Sequence, residues 1–176
     1  MPVALPLTVP RPIAIGACLA LLSILFGFLL GGGFGYAEDA FKDRLAASGA
    51  AALETAYQGD VAAKDAVVSK SWSYLQRAHL HAGAIGSAAL AAIAILLLIA
   101  RPSTLASLSA LSFGAGALLY SIFWLWAGFI APGMGSTGAA KESLQLIAVP
   151  GAGLALIGAL GTLICVAGTV FGRRRA

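Results

Sequence analysis

Four stretches of this chain contain no Asp, Glu, Lys or Arg between their ends: Ile13 to Tyr36, His79 to Ala100, Leu105 to Ala131 and Leu144 to Phe171. At 1.5 Å of rise per residue, each exceeds the roughly 20 residues a helix needs to cross about 30 Å of hydrocarbon. The composition agrees. Of 176 residues, 60% are hydrophobic and 10% charged, whereas soluble domains carry about 45–50% and about 25%. The expected fold is an all-α membrane protein, a four-transmembrane-helix bundle forming one integral membrane domain over residues 1–176. The first span could be mistaken for a signal peptide, since Arg11 precedes it and Gly35-Tyr36-Ala37 offers small residues. Its apolar run is far longer than the about 7–15 residues of a signal core, so it reads as a retained helix.

The breaks between spans are chemically clear. Arg101-Pro102-Ser103 leaves almost no linker between the second and third spans, which makes them antiparallel neighbours. The glycine-rich segment from Pro132 to Gly138 separates the third from the fourth. By alternation Arg11, Arg101 and the terminal Arg173, Arg174 and Arg175 fall on one side, which the positive-inside rule makes cytoplasmic. Both termini are then expected in the cytoplasm of a bacterial inner membrane.

Residues 37–78 are expected on the opposite, periplasmic side. Five bases there (Lys42, Arg44, Lys64, Lys70 and Arg77) face six acids (Glu38, Asp39, Asp43, Glu54, Asp60 and Asp65). Phe41, Leu45, Ala52 or Leu53, and Tyr57 recur at helical spacing, and Gly59 ends the run. Asp60 then stands where a helix cap belongs, ahead of a stripe of Val61, Val68, Trp72, Leu75 and His79. This pattern predicts a helical hairpin continuing the first two spans. An interfacial helix lying flat fits less well, because no Lys/Arg-rich polar face is present.

Small residues mark the packing faces. Gly27, Gly31 and Gly35 stand four apart on the first span, Gly83, Gly86 and Ser87 share a face of the second, and Gly151, Gly158 and Gly161 lie on the fourth. Close backbone approach at such residues holds membrane helices together, either within one chain or between subunits.

The absence of ionisable residues within the spans argues against a proton pump, a charge-coupled transporter or a voltage sensor. The net charge of +4 lies largely in the terminal arginines, which read as a topogenic anchor and leave no basic face for nucleic acid. Cys18 and Cys165 sit in apolar runs without metal-ligand or redox spacing.

The segment from Trp72 to Gly83 is the most informative. It holds both histidines of the protein, His79 and His81, with Tyr74 and Arg77 beside them. Two positions apart on a helix are about 200° apart in direction, so one regular helix cannot place both imidazoles on one ion. The plainest reading is a polar membrane boundary, with Trp72 and Tyr74 as its aromatic belt. A sharper one makes His79, and His81 after local distortion, cofactor-binding ligands to haem or to copper or zinc near the outer face. A quinone or lipid could also contact this aromatic entrance.

Gly133-x-Gly135-x-x-Gly138 matches the dinucleotide fingerprint literally, but it follows a membrane span and not a strand. A tight turn with Ser136 or Thr137 capping the next helix is the expected structure. Lys141 and Glu142 follow it, and Glu142 is a candidate polar partner for Arg77 or His81 at the outer face. No nucleophile elbow or H-E-x-x-H motif occurs, and no catalytic residue is assigned. Function is read as an accessory or structural subunit of a larger membrane complex, with lipid and other membrane subunits or further copies of itself as partners. The alternative is a haem- or metal-binding electron-transfer protein using His79.

Overall fold

The computed structural model describes residues 9–100 and 103–172. Arg101-Pro102 and the terminal arginines, invoked above as a break and an anchor, lie outside the described residues. The elements are α1 Arg11–Ala51, α2 Leu53–Ala56, α3 Val61–Ile99, α4 Thr104–Ile130, α5 Thr137–Ser143 and α6 Gln145–Gly172. No strand occurs among the described residues, and the 4 long helices α1, α3, α4 and α6 are apolar enough to cross a membrane.

The helix starts follow from local chemistry. Pro12 occupies the first turn of α1, where its missing N–H costs nothing. The Asp60 carboxylate accepts from Ala63 N at 2.9 Å to open α3. Ser103 Oγ accepts from Ala106 N at 3.1 Å to open α4. Ser136 Oγ accepts from the N–H groups of Gly138 and Ala139, both at 3.2 Å. The glycine-rich segment is therefore a capped turn, as expected, but the cap serves the short α5. A non-helical Leu144 separates α5 from α6. Ahead of α3, Gln58 (φ 54°) and Gly59 (φ 80°) make the reversal, preceded by the single turn of α2.

α1 is interrupted once. Ala37 has φ −138° and ψ 38°, a kink inside the helix. It follows Gly31-Gly32-Gly33 and Gly35, residues with the weakest helix preference short of proline. Glu38 and Asp39 come directly after it, where carboxylates complement the positive end of the helix that restarts there.

α4 lies at the centre, packed on α1, α3 and α6. Half of its most apolar window (50%) is buried, against 17% in α6, which rests on α4 from outside. Most of the α4–α6 seam is backbone contact: Gly151 meets Tyr120, Gly158 meets Phe113 and Gly116 meets Ala155, while Gly161 meets the Ser109 side chain. On the other face of α4, Gly114 and Gly16 touch backbone to backbone.

α1 and α3 run along each other. Ser23 Oγ donates to Ala82 O at 3.1 Å, and a Cβ on Gly86 would stand 3.1 Å from Ala20 O. Nearer the α1–α3 connection, Phe34, Leu45 and Leu75 form a cluster with Phe41, Val68 and Trp72. Most of the expected stripe on α3 takes part. Val61 does not: it is 50% exposed, because the chain has only just left the turn and no helix lies opposite it. Two further expectations need correcting. Gly35 meets no neighbour within 4 Å and Ser87 is exposed, so neither serves the intramolecular seam.

The connection is tied to the far end of α4. Tyr57 is buried and its hydroxyl donates to Pro132 O at 2.7 Å, while Gly135 (φ 68°) lies against Ala56. Only glycine suits Gly135 well, on both its backbone conformation and its space.

Candidate functional site

α3 carries the two histidines on different faces. His79 turns toward α1, where its Nδ1 lies 2.7 Å from Gly27 O. A carbonyl oxygen only accepts, so Nδ1 carries a proton, and when the ring is neutral Nε2 holds the free lone pair. Nε2 has no hydrogen-bond partner among the described residues and is not sealed from the surface. The ring leans on the bare backbone of Gly31, where a Cβ would stand 2.6 Å from His79 Cε1. Phe34 presents an edge to it at 6.3 Å between centroids.

His81 turns toward α4. Its ring stands 5.3 Å from Tyr120 and 6.1 Å from Trp124, centroid to centroid. Tyr74, 1% exposed, packs edge-on against Trp124 at 4.8 Å. Arg77 spreads over the faces of Trp124 (5.0 Å) and Tyr74 (5.5 Å), a cation–π arrangement that holds the guanidinium without a carboxylate. Trp124 Nε1 is buried in this cluster with no hydrogen-bond partner among the described residues.

Arg77, Tyr74 and His81 are thus brought together, whereas His79 is held apart from them by the helical period. Glu142 is exposed and forms no ion pair with Arg77; the ion pairs among the described residues are Lys42–Glu38 and Lys64–Asp65. No group of three or more His, Cys, Asp or Glu side chains among the described residues could hold a metal. Cys165 packs on the cluster of Ile13, Ile93 and Leu96, toward the opposite end of the bundle from the histidines.

Beside the kink in α1, a groove of about 400 Å³ lies between α1 and α3. Phe34 and Trp72 wall it, Gly31 and Gly35 floor it, and Glu38, Gln76 and His79 supply its polar atoms. The two wall rings stand 5.1 Å apart at an interplanar angle of 67°. At its upper edge Lys42 pairs with Glu38 at 2.5 Å and lies 5.5 Å from the Trp72 centroid. The hydrogen bond that Lys42 donates to the Glu38 carboxylate raises the Lys42 pKa above its ordinary value. Burial raises the Tyr57 phenol likewise.

Phe34, Glu38 and Gln76 were not singled out as site residues from the sequence. The signal that could have found them is the glycine run ending at a paired acid, which foretells a kink and hence a gap between two helices. No protein-family model, curated protein or solved structure matches this chain. Its role is therefore argued from these residues alone.

Proposed function

We infer that this chain is a small multi-pass membrane protein acting as an accessory or structural subunit of a larger membrane complex. Helices α1 and α3 support a bilayer setting with an extension. Their 41 and 39 residues would rise roughly 60 Å if straight, about twice the hydrocarbon thickness. Charge is concentrated at the end where they are joined. Residues 37–78 are accordingly read as a hairpin outside the membrane, periplasmic if Arg11, Arg101 and Arg173 to Arg175 keep the other end in the cytoplasm of a bacterial inner membrane.

The observation that carries the subunit role is the outer face of α3. Ala84, Ser87, Ala88 and Ala91 remain exposed after α1 and α4 have packed on the other sides. In lipid, small residues at such spacing permit a further helix to approach closely. The exposed surface of α6 is bulky instead, with Leu156, Ile157, Leu160 and Leu163, which suits acyl chains. Purification in mild detergent tests the reading: a second polypeptide or a second copy should co-elute, and Ala88→Trp should release it while helicity and melting temperature stay unchanged. A stable monomer in mild detergent, with no cross-linked partner in intact membranes, would refute it.

One observation favours a second reading, electron transfer with His79 as an axial ligand. Imidazole ligands to metals generally donate their other N–H to a carbonyl or carboxylate, as His79 does to Gly27. Against this, His81 lies on another face and offers no second bond. The absorbance spectrum of the purified protein, oxidised and reduced, decides through the presence or absence of a Soret band.

A further inference from the structure

We propose that the groove at the α1 kink binds a lipid-soluble hydroquinone, with His79 Nε2 accepting a hydrogen bond from one ring hydroxyl. The proposal rests on the membrane reading of the chain but is independent of the subunit role.

Three features specify the ligand. The first is hydrogen-bond polarity. Because Gly27 O takes the Nδ1 proton, the neutral ring offers an acceptor at Nε2, and an acceptor selects an O–H over a carbonyl. A quinone has only carbonyls, whereas its reduced form has hydroxyls. The second is shape. Gly31 and Gly35 bring the groove down to backbone level beside Phe34 and Trp72, whose rings meet edge to face, so a flat aromatic ring can lie against this surface. Gly35 meets nothing within 4 Å, leaving that space open.

The third is spacing. Gln76 stands three residues before His79 on the same face of α3, and both line the groove. Residues so related are neighbours on the helix surface, about 5–6 Å apart at Cβ, so both side chains can reach one bound ring. The Gln76 amide can accept from or donate to the second hydroxyl. Leu80, also at the groove and 62% exposed, lies where an apolar tail would leave it. The volume of about 400 Å³ is within the range of small-molecule pockets, about 300–1,000 Å³.

The test titrates the purified full chain in detergent with a decyl-substituted benzohydroquinone kept reduced by ascorbate. Binding is read by tryptophan quenching and by calorimetry, and the oxidised quinone is titrated in parallel. Saturable binding is expected, with the hydroquinone tighter than the quinone by about tenfold, the size of one hydrogen bond. His79→Leu should lose that preference. Should His79→Leu fail to fold, Gly35→Leu stands in: it places a side chain in the groove without meeting any neighbour, and should abolish binding. Gly32→Leu, also free of neighbours but outside the groove, should bind as the parent does.

Equal affinity for the two redox forms overturns the proposal, as does binding that Gly35→Leu leaves intact. Non-saturable uptake assigns the groove to bulk lipid, and a Soret band in the purified protein assigns Nε2 to iron; either sinks it. Failure here with a co-purifying partner still present would leave the subunit role standing, and the reverse result would separate the two equally well.

Discussion

The α4–α6 seam and the α1–α3 seam both use glycine, and to opposite ends. Along α4–α6, Gly116, Gly151 and Gly158 face the backbone of the other helix, and Gly161 faces the Ser109 side chain. Along α1–α3 this holds from Ser23 to Gly27. Beyond it, Gly31 faces an imidazole and Gly35 faces open space, so the same residue type that closes one seam opens the other. What differs is how the glycines are spaced around the helix. A step of four overshoots a full turn by about 40°, so from Gly27 through Gly31 to Gly35 the row drifts off the α3 face before the kink at Ala37 is reached. The backbone left bare by Gly31 and Gly35 lines a groove.

Substitutions should separate the two seams sharply. Gly158→Leu drives a side chain into the Phe113 backbone and is expected to destabilise the bundle by about 3 kcal/mol, read as a fall in unfolding midpoint in micelles. Gly158→Leu with parental stability would show that the seam is looser than its contacts imply. Tyr57→Phe leaves the buried Pro132 carbonyl without its donor and should cost about 1.5 kcal/mol.

The same tyrosine gives a pH dependence. Its folded pKa is raised by burial, so its contribution is complete below the ordinary phenol value of about 10 and is lost as pH climbs toward the raised value. Melting in alkaline buffers should reveal this decline in the parent, and Tyr57→Phe should flatten it. Ser23→Ala removes one interhelical hydrogen bond from the closed part of the α1–α3 seam, for about 0.6 kcal/mol. Least of all should Gly32→Leu change stability. A loss comparable to that of Gly158→Leu would mean that the face of α1 bearing Gly32 is covered.

Much of this architecture is legible without coordinates. The four apolar runs give the four long helices because length and lack of charge are one-dimensional properties. Asp60 and Ser136 announce helix starts because capping is local. The opposed directions of His79 and His81 follow from the 100° step of a helix alone. The pairing expected between Glu142 and Arg77 does not form, because sharing one end of a bundle does not imply contact; Arg77 instead finds two aromatic faces. Similarly, the glycine spacing on α1 suggests one continuous contact face, but only Gly27 meets the α3 backbone, whereas Gly31 meets the His79 ring and Gly35 meets no neighbour.

The sequence by itself determined the helical class, the number of long apolar helices, their principal caps and the separation of the histidines. All of these depend on residue type and on periodicity along one strand of chain. Only the tertiary structure decided that α4 is central and α6 peripheral, that Gly27 fixes the proton on His79, and that a groove opens at the kink. Those outcomes depend on which faces of separate helices meet, and close packing between helices is set by contacts between residues far apart in sequence.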